Sequence, residues 1–200
     1  GRCLTLYEEV HALTRFGNPR VHRAFLQKLK ALLPAGVKPI LITDAGFRAP
    51  WFKAVDRLGW HWIGRIRNRT YLRPHGSAAW IGCKRLYPQA HARPQALGAY
   101  DVVRSNPVTC YLHLIKRPKK HRIRKSILGH RLRGNQSLKQ ARAQREPWLI
   151  AASPSLGHLR AAQIINHYAT RMQIEEAFRD LKCARYGLAF ELNLSRSRER

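Results

Sequence analysis

One short run, Lys38-Pro-Ile-Leu-Ile-Thr-Asp44, does most to set the fold class of this chain. It is apolar, β-branched and brief, which is the composition of a buried strand. Ala45-Gly46 punctuates it, and Ala49 to Leu58 then reads as a helix with Pro50 in its first turn, where a missing N–H does no harm. Trp60 to Ile66 has the character of the next strand. Upstream, Pro19 to Leu33 places Val21, Phe25, Leu26, Leu29, Leu32 and Leu33 at helical spacing and stops at Pro34-Ala-Gly36. Before it, Cys3 to Val10 alternates in the manner of a strand. This strand–helix–strand–helix–strand order predicts an α/β sheet.

A chain of 200 residues suits one domain, or one domain carrying a large insertion. Its 44% hydrophobic content supports a packed core and excludes global disorder. The charge is anomalous: 38 Lys and Arg face 11 Asp and Glu, a net charge of +27. Such an excess points to a polyanion, because Lys and Arg release counterions condensed on phosphates. The excess is concentrated: from Arg57 to Arg145 there are 21 Lys and Arg and a single acid, Asp101. Within that stretch, short segments (Thr70–Leu72, Ala79–Ile81, Tyr100–Val103, Thr109–Ile115) alternate with Pro- and Gly-bearing turns, as antiparallel strands do. Its densest part holds Lys116, Arg117, Lys119, Lys120, Arg122, Arg124 and Lys125. A solvated basic loop accounts for one such cluster, whereas the whole stretch suits a surface that tracks phosphates. Cys3, Cys83, Cys110 and Cys183 show neither paired spacing nor a Cys/His ligand pattern, which argues against a disulfide framework or zinc finger and for reduced thiols. No apolar run of membrane-spanning length occurs.

The last third returns to α/β character. Pro147 to Ser153 reads as a strand, and Leu159 to Lys182 as one helix with Ile164, Ile165, Tyr168, Met172, Ile174 and Phe178 as apolar positions. On that helix Tyr168, Arg171, Glu175 and Lys182 form the pattern Y-x2-R-x3-E-x6-K and share one face. Glu176 points about 100° away from Glu175. A polar stripe of this kind is also what a solvent face with i,i+4 ion pairs looks like. Asp44, at the end of the most strand-like run, is in the position where α/β sheets place reactive groups; it is equally the residue type of a helix cap or turn. Phosphodiester cleavage by paired divalent metals, about 3.5–4 Å apart, needs converging carboxylates.

The four-position pattern, with Ile174-Glu-Glu176, resembles the signature of DDE transposases of the insertion-sequence-four family. Leu41-Ile-Thr-Asp44-Ala-Gly-Phe47 resembles that family's second-aspartate motif. The basic β-rich stretch lies where the family inserts strands into its RNase H-like fold. The resemblance spans essentially the whole chain and implies an RNase H-like mixed sheet flanked by helices. Its parts would be residues 1–66 as the first part of the core, 67–146 as the insertion, and 147–200 as the last strand and catalytic helix. It implies that Asp44 and Glu175 are the second and third metal ligands, for Mg²⁺ or alternatively Mn²⁺. Tyr168, Arg171 and Lys182 would hold phosphates, and Trp148 would stack on a displaced base. DNA is then the partner, at element ends and target, with a homodimer in the full-length enzyme and a location in the bacterial cytoplasm on the nucleoid.

The family's first aspartate belongs on a strand ahead of Cys3–Val10, and Asp56, Asp101 and Asp180 are poorly placed to replace it. The expectation is therefore a truncated, catalytically incomplete transposase fragment. The competing expectations are a non-catalytic basic protein that binds RNA or DNA, and an RNase H-like nuclease outside transposition, which would not need the companions of Glu175.

Overall fold

A computed structural model of the chain describes residues 3–118, 130, 134, 135, 146–183 and 185. A mixed seven-stranded sheet organises it, in the order β1-β2-β7-β6-β5-β3-β4. Strand β1 is Ile40–Thr43, β2 is His61–Ile66, β3 is Tyr71–Pro74 and β4 is Ile81–Gly82. Strand β5 is Gln95–Val102, β6 is Val108–Ile115 and β7 is Trp148–Ala152. Strands β1 and β2 are parallel, as a helical crossover requires, and β2–β7, β7–β6, β6–β5, β5–β3 and β3–β4 are antiparallel. The strands of the basic stretch therefore prolong the core sheet itself.

The two faces of the sheet are separately covered. Helix α1 (Pro19–Leu32) and helix α2 (Ala49–Arg57) lie on one face, where Leu26, Phe52, Val55, Trp62, Leu112, Leu149 and Ala151 form the larger core. Phe52 stacks on Trp62 at 4.1 Å between centroids. Helix α3 (Ala161–Thr170) covers the other face, packing Ile164, Ile165 and Tyr168 on Ile63, Ile115 and Ile150, with Ile40 and Ile42 at the margin. The period-two alternation of strands explains the division: Trp62 faces α2 while Ile63 faces α3.

Two expectations are corrected. Residues 3–12 form no strand, and Leu4, Leu6 and Val10 are 95%, 63% and 85% exposed. Alternation makes a strand only where an edge is available in register, and here the segment is held instead by side chains. Glu9 is bonded by Lys28 at 2.6 Å, His11 at 2.7 Å and the Tyr7 hydroxyl, while the Tyr7 ring lies against Phe25. The single helix expected over 159–182 is two: α3 ends at Thr170, and α4 runs from Met172 to Lys182. At the joint the bonds shorten to i→i+3, from Arg171 N–H to the Tyr168 carbonyl and from Ile174 N–H to the Arg171 carbonyl. That is the tighter 3₁₀ form. Helix α4 buries no residue, so Ile174 and Phe178, expected as packing positions, are 47% and 49% exposed.

Asp101, the lone acid of the basic stretch, is committed to structure. It is 5% exposed and accepts bonds from Arg73 (3.0 Å), His75 (2.9 Å) and Thr109 (2.8 Å), tying β3 to β5 and β6. Burial works against its charge, but these three donors hold its pKa below the ordinary carboxylate value. It leaves no negative charge over to offset the surrounding cations.

His113 on β6 is 4% exposed, and burial pushes its pKa from 6.5 down to about 4. Below pH 6.5 the unfolded chain binds this proton and the folded chain does not, so stability falls as pH drops from 6.5 to about 4. The shift corresponds to roughly 3 kcal/mol. Thermal melts across that window are expected to show a falling Tm that His113→Gln flattens. A wild-type Tm that stays level would refute a buried neutral imidazole.

Candidate active site at one end of the sheet

Sheet register brings the candidate residues to one end of the molecule. Thr43 is level with Gly64 on β2, so Asp44 lies beside Arg65. Arg65 pairs with Ile150, and Ile66 with Leu149, which puts Trp148 at the same end. Ile115 pairs with Trp148, and the chain leaves β6 there through Lys116 and Arg117. Period-two alternation continues Ile40, Ile42 and Asp44 along the face that carries Ile63 and Arg65, the face covered by α3.

Asp44 is exposed and sits in a tight turn, its Oδ1 accepting the Gly46 N–H at 2.8 Å. The turn leaves no slack: a Cβ on Gly46 would stand 3.0 Å from Asp44 Oδ1. Gly46→Ala is expected to swing the carboxylate aside, weakening divalent-cation affinity several-fold while leaving Tm within about 2 °C of wild type, as surface changes do. Isothermal titration with Mn²⁺ and a thermal melt would measure the two effects, and unchanged affinity would show that this turn does not aim Asp44.

Tyr168 is the hub. It is 3% exposed, and its ring meets Trp148 edge-on at 5.1 Å. Burial raises its pKa; Arg171 and Arg65 oppose the rise, and the Asp44 carboxylate adds to it. Arg171 donates to Glu175 Oε1 at 2.7 Å across one helical turn. The charges of Asp44, Arg65 and Arg171 all act on Tyr168, and Arg171 is bonded to Glu175. Lys182 is exposed on α4, two turns or about 10 Å along the helix from Glu175, and Glu176 is exposed one position off that line.

Sequence reasoning missed Arg65. Its guanidinium is 5.9 Å from the centroid of the Trp148 ring, and burial pushes its pKa down. Its Nε–H has no partner, and neither has that of Arg171. Buried N–H donors are normally satisfied, yet these two, whose charges both act on Tyr168, are left without a partner. The available signal was a charged residue inside the apolar strand Trp62-Ile-Gly-Arg-Ile66. Arg117 also reaches the site, 4.7 Å over the Trp148 ring. Lys116 is exposed nearby, with its N–H bonded to the His91 carbonyl. Lys119, Lys120, Arg122, Arg124 and Lys125 lie outside the described residues.

Among the described residues no group of three His, Cys, Asp or Glu side chains is placed to hold a metal ion, and no helix is long and apolar enough to cross a membrane. A comparison with curated proteins returns no match, and neither does one with solved structures. The Transposase DDE domain family matches residues 5–197. With a mixed α/β sheet consistent with an RNase H-like transposase fold and a match over nearly its whole length, the chain belongs to the DDE transposase family.

Proposed function

We propose that this chain belongs to a transposase of the insertion-sequence-four group, in which Asp44 and Glu175 hold a divalent cation, Mg²⁺ or alternatively Mn²⁺, against DNA. The observation that carries this reading is the pair of partnerless guanidinium Nε–H groups, Arg65 and Arg171, whose charges act with that of Asp44 on Tyr168. The donor chemistry fits such a cation: Asp44 uses one oxygen on Gly46 and Glu175 one on Arg171, leaving each a second hard oxygen of the kind Mg²⁺ prefers. When bound, the cation would offset charge on the phosphate and lower the pKa of the attacking oxygen. Arg171 positions Glu175 and, with Arg65 and Lys182, neutralises phosphate oxygens. Tyr168 would donate its hydroxyl to a neighbouring phosphate oxygen. Trp148 offers its ring to an unstacked base, Lys116 and Arg117 lengthen the phosphate track, and Lys119, Lys120, Arg122, Arg124 and Lys125 are further candidates to bind DNA.

Residues 67–146 are then the basic insertion within a core made of 1–66 and 147–200. The full enzyme would act as a homodimer on nucleoid DNA. A third carboxylate is absent from the described part of the site, so Asp44 and Glu175 alone are proposed to bind and position DNA with little cleavage. A purely basic binding protein would have no use for a cation here, which makes cation dependence the discriminating test. In fluorescence anisotropy, Mg²⁺ should raise wild-type affinity for duplex DNA and leave Asp44→Asn unaffected, while plasmid nicking stays at the variant's level. Affinity indifferent to Mg²⁺ in the wild type would contradict the cation site; nicking well above that of Asp44→Asn would contradict the incomplete centre.

A further inference from the structure

Next to this site, and sharing Arg65 with it, is a cavity of about 1020 Å³ between the Asp44 turn, the β2–β3 connection and the β5–β6 turn. Its cations are Arg48, Arg65, Arg67, Arg69, Lys84 and Arg104, and no acid lines it. Arg67 is paired with Glu146 at 2.8 Å. Arg48, Arg69, Lys84 and Arg104 are exposed and have no acidic partner among the described residues. Phe47 and Tyr71 supply rings to the wall, and Tyr71 is 49% exposed.

The wall is also where the backbone departs from ordinary geometry. Asn68 at φ 64° and Val103 at φ 67° are the non-glycine residues with positive φ among those described, and both line the cavity. For β-branched Val103 this is a true outlier. It is pinned by its N–H on the Tyr71 carbonyl at 2.9 Å. Such conformations persist where the surroundings over-determine them, and they cluster at ligand clamps. Arg69 and Arg104 each follow one of these fixed residues and line the cavity with Tyr71.

We infer that this cavity takes a single-stranded stretch of DNA running on from the phosphate held at Arg65 and Arg171. The inference rests on the proposed DNA site, since Arg65 belongs to both. Unpaired cations that track phosphates and exposed rings on which bases stack are the recognised combination for single strands. A duplex keeps its bases stacked on each other and offers rings nothing to stack on, so it would lie across the mouth. The cavity is large enough for unstacked nucleotides, slightly larger than the ~300–1,000 Å³ typical of ligand pockets.

The test is anisotropy with the whole chain and two probes: a blunt duplex, and the same duplex bearing a short single-stranded thymidine tail. The tailed probe should bind more tightly to the wild type. Arg69→Ala with Lys84→Ala should remove that preference and reduce the salt slope for the tailed probe by about 1.4, the contribution of two single-strand phosphate contacts. Tyr71→Ala should weaken the tailed probe roughly tenfold, with blunt-duplex affinity changed less than twofold. Equal wild-type affinity for the two probes, or a tail preference that survives Arg69→Ala/Lys84→Ala, would overturn the inference. Mg²⁺ dependence of blunt-duplex binding reports on the Asp44–Glu175 reading separately, so either can fail alone. Far-UV circular dichroism excludes misfolding of these exposed-site variants.

Discussion

Gly64→Val is expected to lose roughly 3 kcal/mol of folding stability, at the upper end of what overpacking a core does. Gly64 lies in β2 between covered neighbours. A Cβ there would stand 2.7 Å and 2.8 Å from the Phe52 ring and 3.2 Å from Thr43 Oγ1. Phe52 cannot yield, because it is 1% exposed and stacked on Trp62, and close-packed interiors transmit such strain. Thr43 cannot yield without moving Asp44. The strain should thus appear twice, as a Tm lower by about 5 °C or more and as weaker cation binding. Gly64→Ala should show the same signs at smaller size. A Gly64→Val variant that melts with the wild type would mean that the α2–sheet interface is looser than this packing implies.

Arg171→Ala should weaken DNA binding by roughly ten- to a hundredfold, the range expected for losing a charge-assisted bond of about 1.5–3 kcal/mol. Arg171 braces Glu175, its charge acts on Tyr168, and its partnerless Nε–H is the donor proposed to meet a phosphate. Burial opposes its charge, yet Glu175 and Tyr168 together outweigh that and keep the pKa above the ordinary guanidinium value. Arg171→Lys should restore little, since an ammonium lacks the planar fork needed to serve carboxylate and phosphate together. Stability should barely change, because the pair with Glu175 is half open to water and such pairs contribute little. Anisotropy titrations read the affinity, and equal affinity of Arg171→Lys and wild type would reduce the residue to a simple positive charge.

Much of this was legible in the residues themselves. The Lys38–Asp44 run and the helix that follows it are readable because apolar runs and their punctuation reflect burial directly. The Tyr168–Arg171–Glu175–Lys182 spacing is readable because helical periodicity is local. Other features depend on partners that no local pattern encodes. Cys3–Val10 alternates as a strand does, yet pairing needs an edge, and Glu9 with Lys28 settles the segment otherwise. The joint at Arg171 carries neither Pro nor Gly to announce it. Arg65 was hidden within the general excess of arginine; its importance comes from β2–β7 register and from α3 folding over it. Asp101 looked like the stray acid of a basic surface and is instead the buried tie of β3, β5 and β6.

The most direct test of the account is Mn²⁺ binding, measured by calorimetry on the wild type, Asp44→Asn, Glu175→Gln and Glu176→Gln. Saturable binding that weakens at least tenfold in Asp44→Asn and in Glu175→Gln, and is kept in Glu176→Gln, is the predicted result. Binding kept in Asp44→Asn, or lost equally in Glu176→Gln, would mean that Asp44 and Glu175 do not form one cation site.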